Sequence, residues 1–287
     1  MRYLAYILLS FPCFVSGQDM SLAFKGSATI TRNKLPVAVC YSVRRIVDKY
    51  SGYCLQVRRS SDNTTQNIGF TTNGNLDTTA LKSFVGSGNG YVTIWYDQSG
   101  YGRNATQSTT TAQPTIVNSG TVQRSNGQPS ILFNGTSQTM ASTAFGLINQ
   151  PFTRNIVVSS NAGNYGTHIL NSVGANPNTA LYFPASDSVT LYAGISYGPK
   201  QNLSTATPTV LSEEYNASNS YITKNGTSST NFNPGTNGVN GIQIASYNGS
   251  GYYAKVAISE ITIFPQALST SDRQTLENNQ NRYYKIF

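Results

Sequence analysis

The sequence predicts an all-β fold of two antiparallel sheets packed face to face, with short helices near its start and one helix at its end. Three observations carry that expectation. Tyr (19), Gly (25), Ser, Thr and Asn dominate the 287 residues, a composition that suits many short strands joined by turns. From Pro129 onward, short apolar runs recur between Gly, Asn, Pro and Ser, at the spacing of a sandwich. The ending alternates as Ala257-Ile258-Ser259-Glu260-Ile261-Thr262-Ile263-Phe264 and then changes to a helical pattern.

The first residues, MRYLAYILLSFPCFVSG, combine Arg2, an apolar run from Tyr3 to Val15 and a small-residue end at Val15-Ser16-Gly17. That is the pattern of a secretory signal peptide over 1–17, with Cys13 inside it; an uncleaved anchor is the alternative. Residues 18–287 then read as one domain, because no Pro/Ser linker divides them. The protein is expected to be secreted, extracellular or at a surface.

Along the chain, Val37 to Tyr50 places Val39, Val43, Ile46, Val47 and Tyr50 at helical spacing, and Ser51-Gly52 would end that helix. Tyr53 to Arg59 alternates as a strand, Asn75 to Val85 reads as a second short helix, and Tyr91 to Tyr96 as a strand rich in β-branched and aromatic residues. Further strands are predicted at Ser130–Phe133, Arg154–Ser159, Thr167–Leu170, Ala180–Phe183, Val189–Ala193, Thr209–Tyr215, Ser220–Thr223, Gly241–Tyr247 and Tyr253–Phe264. In the last of these, strict alternation puts Glu260 on the side of Ile258 and Thr262. Ser269 caps the closing helix, Thr270 to about Tyr284, with Asp272 at its third position.

Charge excludes one class of partner. There are 19 Lys and Arg against 11 Asp and Glu, a net +8, or +7 once Arg2 is removed with the signal. Only 10% of residues are charged and no basic block occurs, so nucleic acid is not an expected partner. Cys40 and Cys54, an even pair in an exported chain, favour one disulfide over a metal site; two buried thiols are the alternative.

The segments LQVRRSSDNTTQNIGF (Leu55 to Phe70) and VTIWYDQSGYGRNATQ (Val92 to Gln107) resemble the catalytic domain of the arabinofuranosidase B family of glycoside hydrolases. The paired signature V-R-R-S-S-D and Y-D-Q-S-G-x-G carries the likeness across residues 36–110, and ISEITIFPQALSTSDRQTLENNQNRYYKI is similar to the last strand and helix of laminin-G-like and concanavalin-A-like domains. The resemblance implies a concanavalin-A-like jelly-roll sandwich. It also implies a retaining mechanism, with a Glu nucleophile on a central strand and an Asp acid/base in a Gly/Asn-rich stretch before the last strands. Such a pair stands roughly 5 Å apart.

The stretch expected to hold the acid/base, GIQIASYNGSGYY (Gly241 to Tyr253), has no carboxylate; Ser246 or Asn248 stands in its place. For the nucleophile the middle of the chain offers Asp187, Glu213 and Glu214. Neighbours on a strand point to opposite faces, so one at most of Glu213 and Glu214 can face a given groove, and both fit a solvated strand end. His168, the chain's one histidine, reads as a surface or packed residue rather than a triad base. Asp97 could bind calcium with nearby carbonyls, or pin its own loop through the amides of Ser99 or Gly100; no other cofactor is expected.

Sugar binding needs less than hydrolysis. Tyr192, Tyr197, Tyr247 and Tyr252 are candidates to stack on sugar faces, each with an alternative role in packing. The expected function is recognition of a polysaccharide or glycoconjugate, or adhesion, without the catalytic pair. An active arabinofuranosidase and a structural surface protein of a cell or virion are the alternatives.

Overall fold

The computed structural model describes residues 35–173, 178–195, 198–205 and 207–287. The expected signal peptide and Tyr197 lie outside the described residues.

Strand Lys255–Phe264 organises the first sheet. One edge pairs antiparallel with Phe152–Ser160, and the other pairs end to end with Val39–Ser42 and Ile131–Asn134. Beyond Phe152–Ser160 come Thr209–Tyr215 and Tyr221–Lys224. The second sheet runs from Leu55–Arg59 and Gly90–Trp95 through the short strands Ala105–Thr106, Met140–Ser142 and Gln243–Ile244. It continues into His168–Asn171, Ala180–Ala185 and Ser188–Tyr192. Strand Thr115–Asn118 pairs with one strand of each sheet and joins them at an edge.

Inward-facing residues of the two sheets meet in one core. Ile156, Val158, Leu211, Ile261 and Ile263 from the first pack with Val57, Val92, Trp95, Leu170, Leu181 and Leu191 from the second. This is the expected β-sandwich, with alternate residues of each strand turned inward.

The outer face of the first sheet is covered as well. Helix Thr270–Tyr284 begins at Ser269, whose hydroxyl accepts from the Asp272 amide as expected. Leu268 and Leu276 pack with Phe264 and Cys40, while Tyr284 packs on Val157 and Val210. Covered on both sides, strands Phe152–Ser160 and Thr209–Tyr215 are buried at every position.

Double burial explains where the sequence misleads. Val37 to Tyr50 is not a helix; it contains strand Val39–Ser42, with Val39, Tyr41 and Val43 in the main core and Cys40, Ile46 and Val47 in the cluster under the C-terminal helix. A strand apolar on both faces has apolar residues at nearly every position and so satisfies helical spacing by default. The expected Cys40–Cys54 disulfide is not formed. The two side chains pack in different clusters, and the Cys54 thiol donates to the Ser42 carbonyl oxygen at 3.3 Å.

Two further corrections concern local backbone. A register shift opposite Val157/Val158 sets Glu260 against Arg44, at 2.8 Å, rather than beside Ile258 in the inner core. Gly241–Tyr247 is strand only at Gln243–Ile244, because Ala245 adopts a left-handed φ of 59°. The early helix starts later than expected, at Thr78, where Asp77 accepts from the Ala80 amide at 2.9 Å. Among the described residues no helix is long and apolar enough to cross a membrane, which says nothing about spanning by strands.

Candidate functional site

A cavity of about 370 Å³ opens on the second sheet, lined by Gly166, His168, Asn178, Ala180, Tyr182, Tyr192, Tyr247 and Tyr252. Alternation places it on the outer face: Leu181, Phe183 and Leu191 point into the core, so Ala180, Tyr182 and Tyr192 point away from it. Three of the four tyrosines expected to bind sugar therefore come together. Sequence reasoning missed Tyr182, although its alternation with Leu181 and Phe183 marked it, and it set His168 aside because no catalytic partner was in view.

His168 is the hub of the wall. Its ring centroid lies 5.0 Å from that of Tyr182, 5.3 Å from Tyr247 and 5.9 Å from Tyr252. Burial pushes its pKa down to about 4 against a hydrogen bond with Asn171 that opposes the shift, so the ring is neutral at neutral pH. Tyr247 and Tyr252 meet edge to face at 6.1 Å. Tyr252 holds a left-handed φ of 50° while remaining 62% exposed. A strained backbone under a solvent-facing ring is a feature kept for position rather than for packing. The His168 amide donates to the Tyr252 carbonyl oxygen at 3.0 Å and ties this loop to the sheet. Thus the stretch Gly241 to Tyr253, which lacks the expected acid/base, supplies two walls of the cavity instead.

The three candidate carboxylates do not converge. Glu213 points into the sandwich, where Arg154 Nε donates to Oε2 at 2.9 Å and the Tyr215 hydroxyl lies 3.1 Å from the same oxygen. Burial raises its pKa while Arg154 pulls it back. Glu214 points the other way, under the C-terminal helix, accepting from the Thr153 hydroxyl at 2.7 Å. Both are buried rather than solvated, because the sheet is covered on both faces.

Asp187 sits in a turn and accepts from the Ser160 hydroxyl. Glu213 and Asp187 thus attach to Arg154 and Ser160 of one strand, six positions and roughly 20 Å apart at strand spacing. No pair among these three reaches the roughly 5 Å that a retaining mechanism requires.

Asp97 is occupied by donors. Oδ1 accepts from the amides of Cys40 and Ser99, each at 2.9 Å, and Oδ2 from the Ser99 hydroxyl at 2.6 Å and the Arg103 amide at 3.0 Å. Gly100 and Gly102, at φ of 90° and 70°, let the loop curl round it. Four N–H and O–H donors surround the carboxylate, which is a capping arrangement and not a cation's shell of oxygens. Among the described residues no group of three or more His, Cys, Asp or Glu could hold a metal ion.

The family model described as "Alpha-L-arabinofuranosidase B, catalytic" matches residues 31–165. That segment, just under half of the 287 residues, is similar to the arabinofuranosidase B catalytic domain.

The likeness extends to the fold beyond the matched segment. A GH54 α-L-arabinofuranosidase soaked with a cyclic sulfate inhibitor superposes with a TM-score of 0.73 at 16% identity, over 88% of this chain and 63% of that one. A glutamate-to-glutamine mutant of such an enzyme, soaked with 4-nitrophenyl α-L-arabinofuranoside, gives 0.72 with the same identity and coverage. An arabinofuranosidase complexed with arabinofuranosyl-α-1,2-xylobiose gives 0.66, again at 16% identity and 88% and 63% coverage. This chain spans 63% of the length of each of these structures. No curated protein sequence matches it.

At this identity the chain shares the scaffold, and its chemistry must be read from its own residues. On that scaffold the tyrosine-lined cavity is open and the candidate carboxylates are elsewhere.

Proposed function

We propose that this chain is an exported carbohydrate-recognition or adhesion domain that binds a polysaccharide or glycoconjugate in the tyrosine-lined cavity, on a concanavalin-A-like jelly roll, without hydrolysing it. The observation that carries the reading is the lining itself. Tyr182, Tyr192, Tyr247, Tyr252 and His168 surround one space, and none of its described lining residues is a carboxylate. Tyrosine rings bury the apolar C–H faces of a sugar while hydroxyls, amides and imidazole bond its O–H groups. A cavity of about 370 Å³ suits one or two sugar units. Export rests on the N-terminal MRYLAYILLSFPCFVSG.

The family match favours hydrolysis as the rival reading, with Glu213 as nucleophile, and one set of measurements separates the two. A glycan array probed with the intact chain should show binding without turnover. Tyr247→Ala and Tyr252→Ala should each weaken it by roughly 2- to 10-fold, the value of one aromatic contact, with unchanged melting. Arabinose released from 4-nitrophenyl α-L-arabinofuranoside, and abolished by Glu213→Gln in a protein that still folds, would establish the hydrolase instead. Neither binding nor release would leave a structural surface role.

A further inference from the structure

The polar atoms behind the aromatic wall form a directed chain. Asn171 Nδ2 donates to the Ser246 carbonyl oxygen at 2.9 Å, a partner that can only accept. That bond fixes the Asn171 amide and leaves its Oδ1 facing His168, 3.0 Å from Nδ1. Because Oδ1 also can only accept, Nδ1 must carry the proton of the neutral imidazole. Nε2 is then a bare lone pair, and no described residue bonds to it. The donor and acceptor at each step are set by a backbone carbonyl, which has no second option.

The geometry assigns His168 Nε2 as the specificity-determining acceptor of the cavity, selecting an uncharged sugar that presents a hydroxyl hydrogen, with Asn171 as the positioning residue that holds the tautomer. This inference rests on the carbohydrate reading of the cavity and narrows it. Asn178, another lining residue, adds a side-chain oxygen that is buried without a hydrogen-bond partner among the described residues, so a second ligand donor has somewhere to go. An acidic sugar would bring its carboxylate to these lone pairs, and the described lining includes no Lys or Arg to compensate. A quaternary ammonium ion would fit the rings but has no hydrogen to give.

The chain contains one histidine, so its imidazole can be observed without assignment. In long-range ¹H–¹⁵N spectra of the intact protein, Nδ1 should resonate as a protonated nitrogen and Nε2 as an unprotonated one from pH 5 to 8. Titration with methyl glycosides of arabinofuranose, xylose, galactose and glucose should move the Nε2 signal for those that bind. Glucuronic acid, N-acetylneuraminic acid and tetramethylammonium should leave it in place.

His168→Phe keeps an aromatic wall without the acceptor and should weaken the best neutral glycoside at least 10-fold with melting retained. Asn171→Leu should lower affinity and populate the other tautomer. A wild-type Nε2–H tautomer, tight binding of the acidic sugars or tetramethylammonium, or His168→Phe binding as well as wild type would each overturn this inference and leave the cavity reading standing. Absence of all glycan binding by a protein with the expected tautomer would overturn the cavity reading, and this inference with it.

Discussion

Asp97 shows how much one carboxylate can hold. It gathers the amides of Ser99 and Arg103 from its own loop, and through the Cys40 amide it ties that loop to the strand Val39–Ser42. Trp95, two residues earlier, is fully buried with its ring 5.7 Å from Tyr41. The motif around them is thus a structural anchor, remote from the cavity lining. Asp97→Ala would orphan three backbone N–H groups, and each buried unsatisfied group costs about 1–3 kcal/mol. With partial rescue by water, a loss of about 3 kcal/mol is expected in denaturant unfolding, with glycan binding intact below the transition. A variant that melts normally but loses binding would return Asp97 to the site.

Between elements, Glu214 couples strand Thr209–Tyr215 to the C-terminal helix. Burial raises its pKa from 4.5 to about 7, against the opposing Thr153 hydrogen bond and the charge of Arg273. Between those two values the folded protein keeps a proton that the unfolded chain has released. The folded state therefore binds more protons, and this group's contribution to stability falls as pH rises from 4.5 to about 7. Glu214→Gln, neutral throughout, should flatten that part of the profile. Melting temperatures at pH 5, 6 and 7 test this; an unchanged slope in the variant would assign the pH dependence to another group.

Across the whole molecule, Glu213, Arg154 and Tyr215 bind one sheet to the other. Arg154 Nη2 donates to the Tyr215 hydroxyl at 2.7 Å, and that hydroxyl lies 3.1 Å from the Ala180 carbonyl oxygen in the second sheet. Glu213 and Arg154 are both fully buried, and Glu213 Oε1 and Arg154 Nη1 have no hydrogen-bond partner among the described residues. Removing one charge would strand the other in the interior, so Glu213→Gln should cost about 3–5 kcal/mol. Replacing both, as Glu213→Leu with Arg154→Met, should recover much of that loss. A double-mutant cycle by urea unfolding measures the coupling; independent, additive effects would show that the pair is not a unit.

Much of this protein is local and was therefore legible. Alternation located strand Leu55–Arg59, turn residues bounded strand Thr209–Tyr215, a Ser cap located the last helix, and positions near strand ends marked Tyr192, Tyr247 and Tyr252. These features depend on side-chain period and turn chemistry, which a chain carries in its order.

What only the tertiary structure decided is what covers each face. The C-terminal helix buries the outside of the first sheet, so the expected helix over Val37 to Tyr50 gives way to strand Val39–Ser42 and Glu214 is interior, while the second sheet buries Glu213 on the other face. Long-range packing also set Cys40 and Cys54 in separate clusters and gave His168 its tyrosine neighbours. Burial on a second face leaves no periodic trace, because period records which side of an element is apolar and not what lies against it. The sequence by itself thus determined the sandwich and three of the cavity's tyrosines, and long-range packing determined which polar groups reach them.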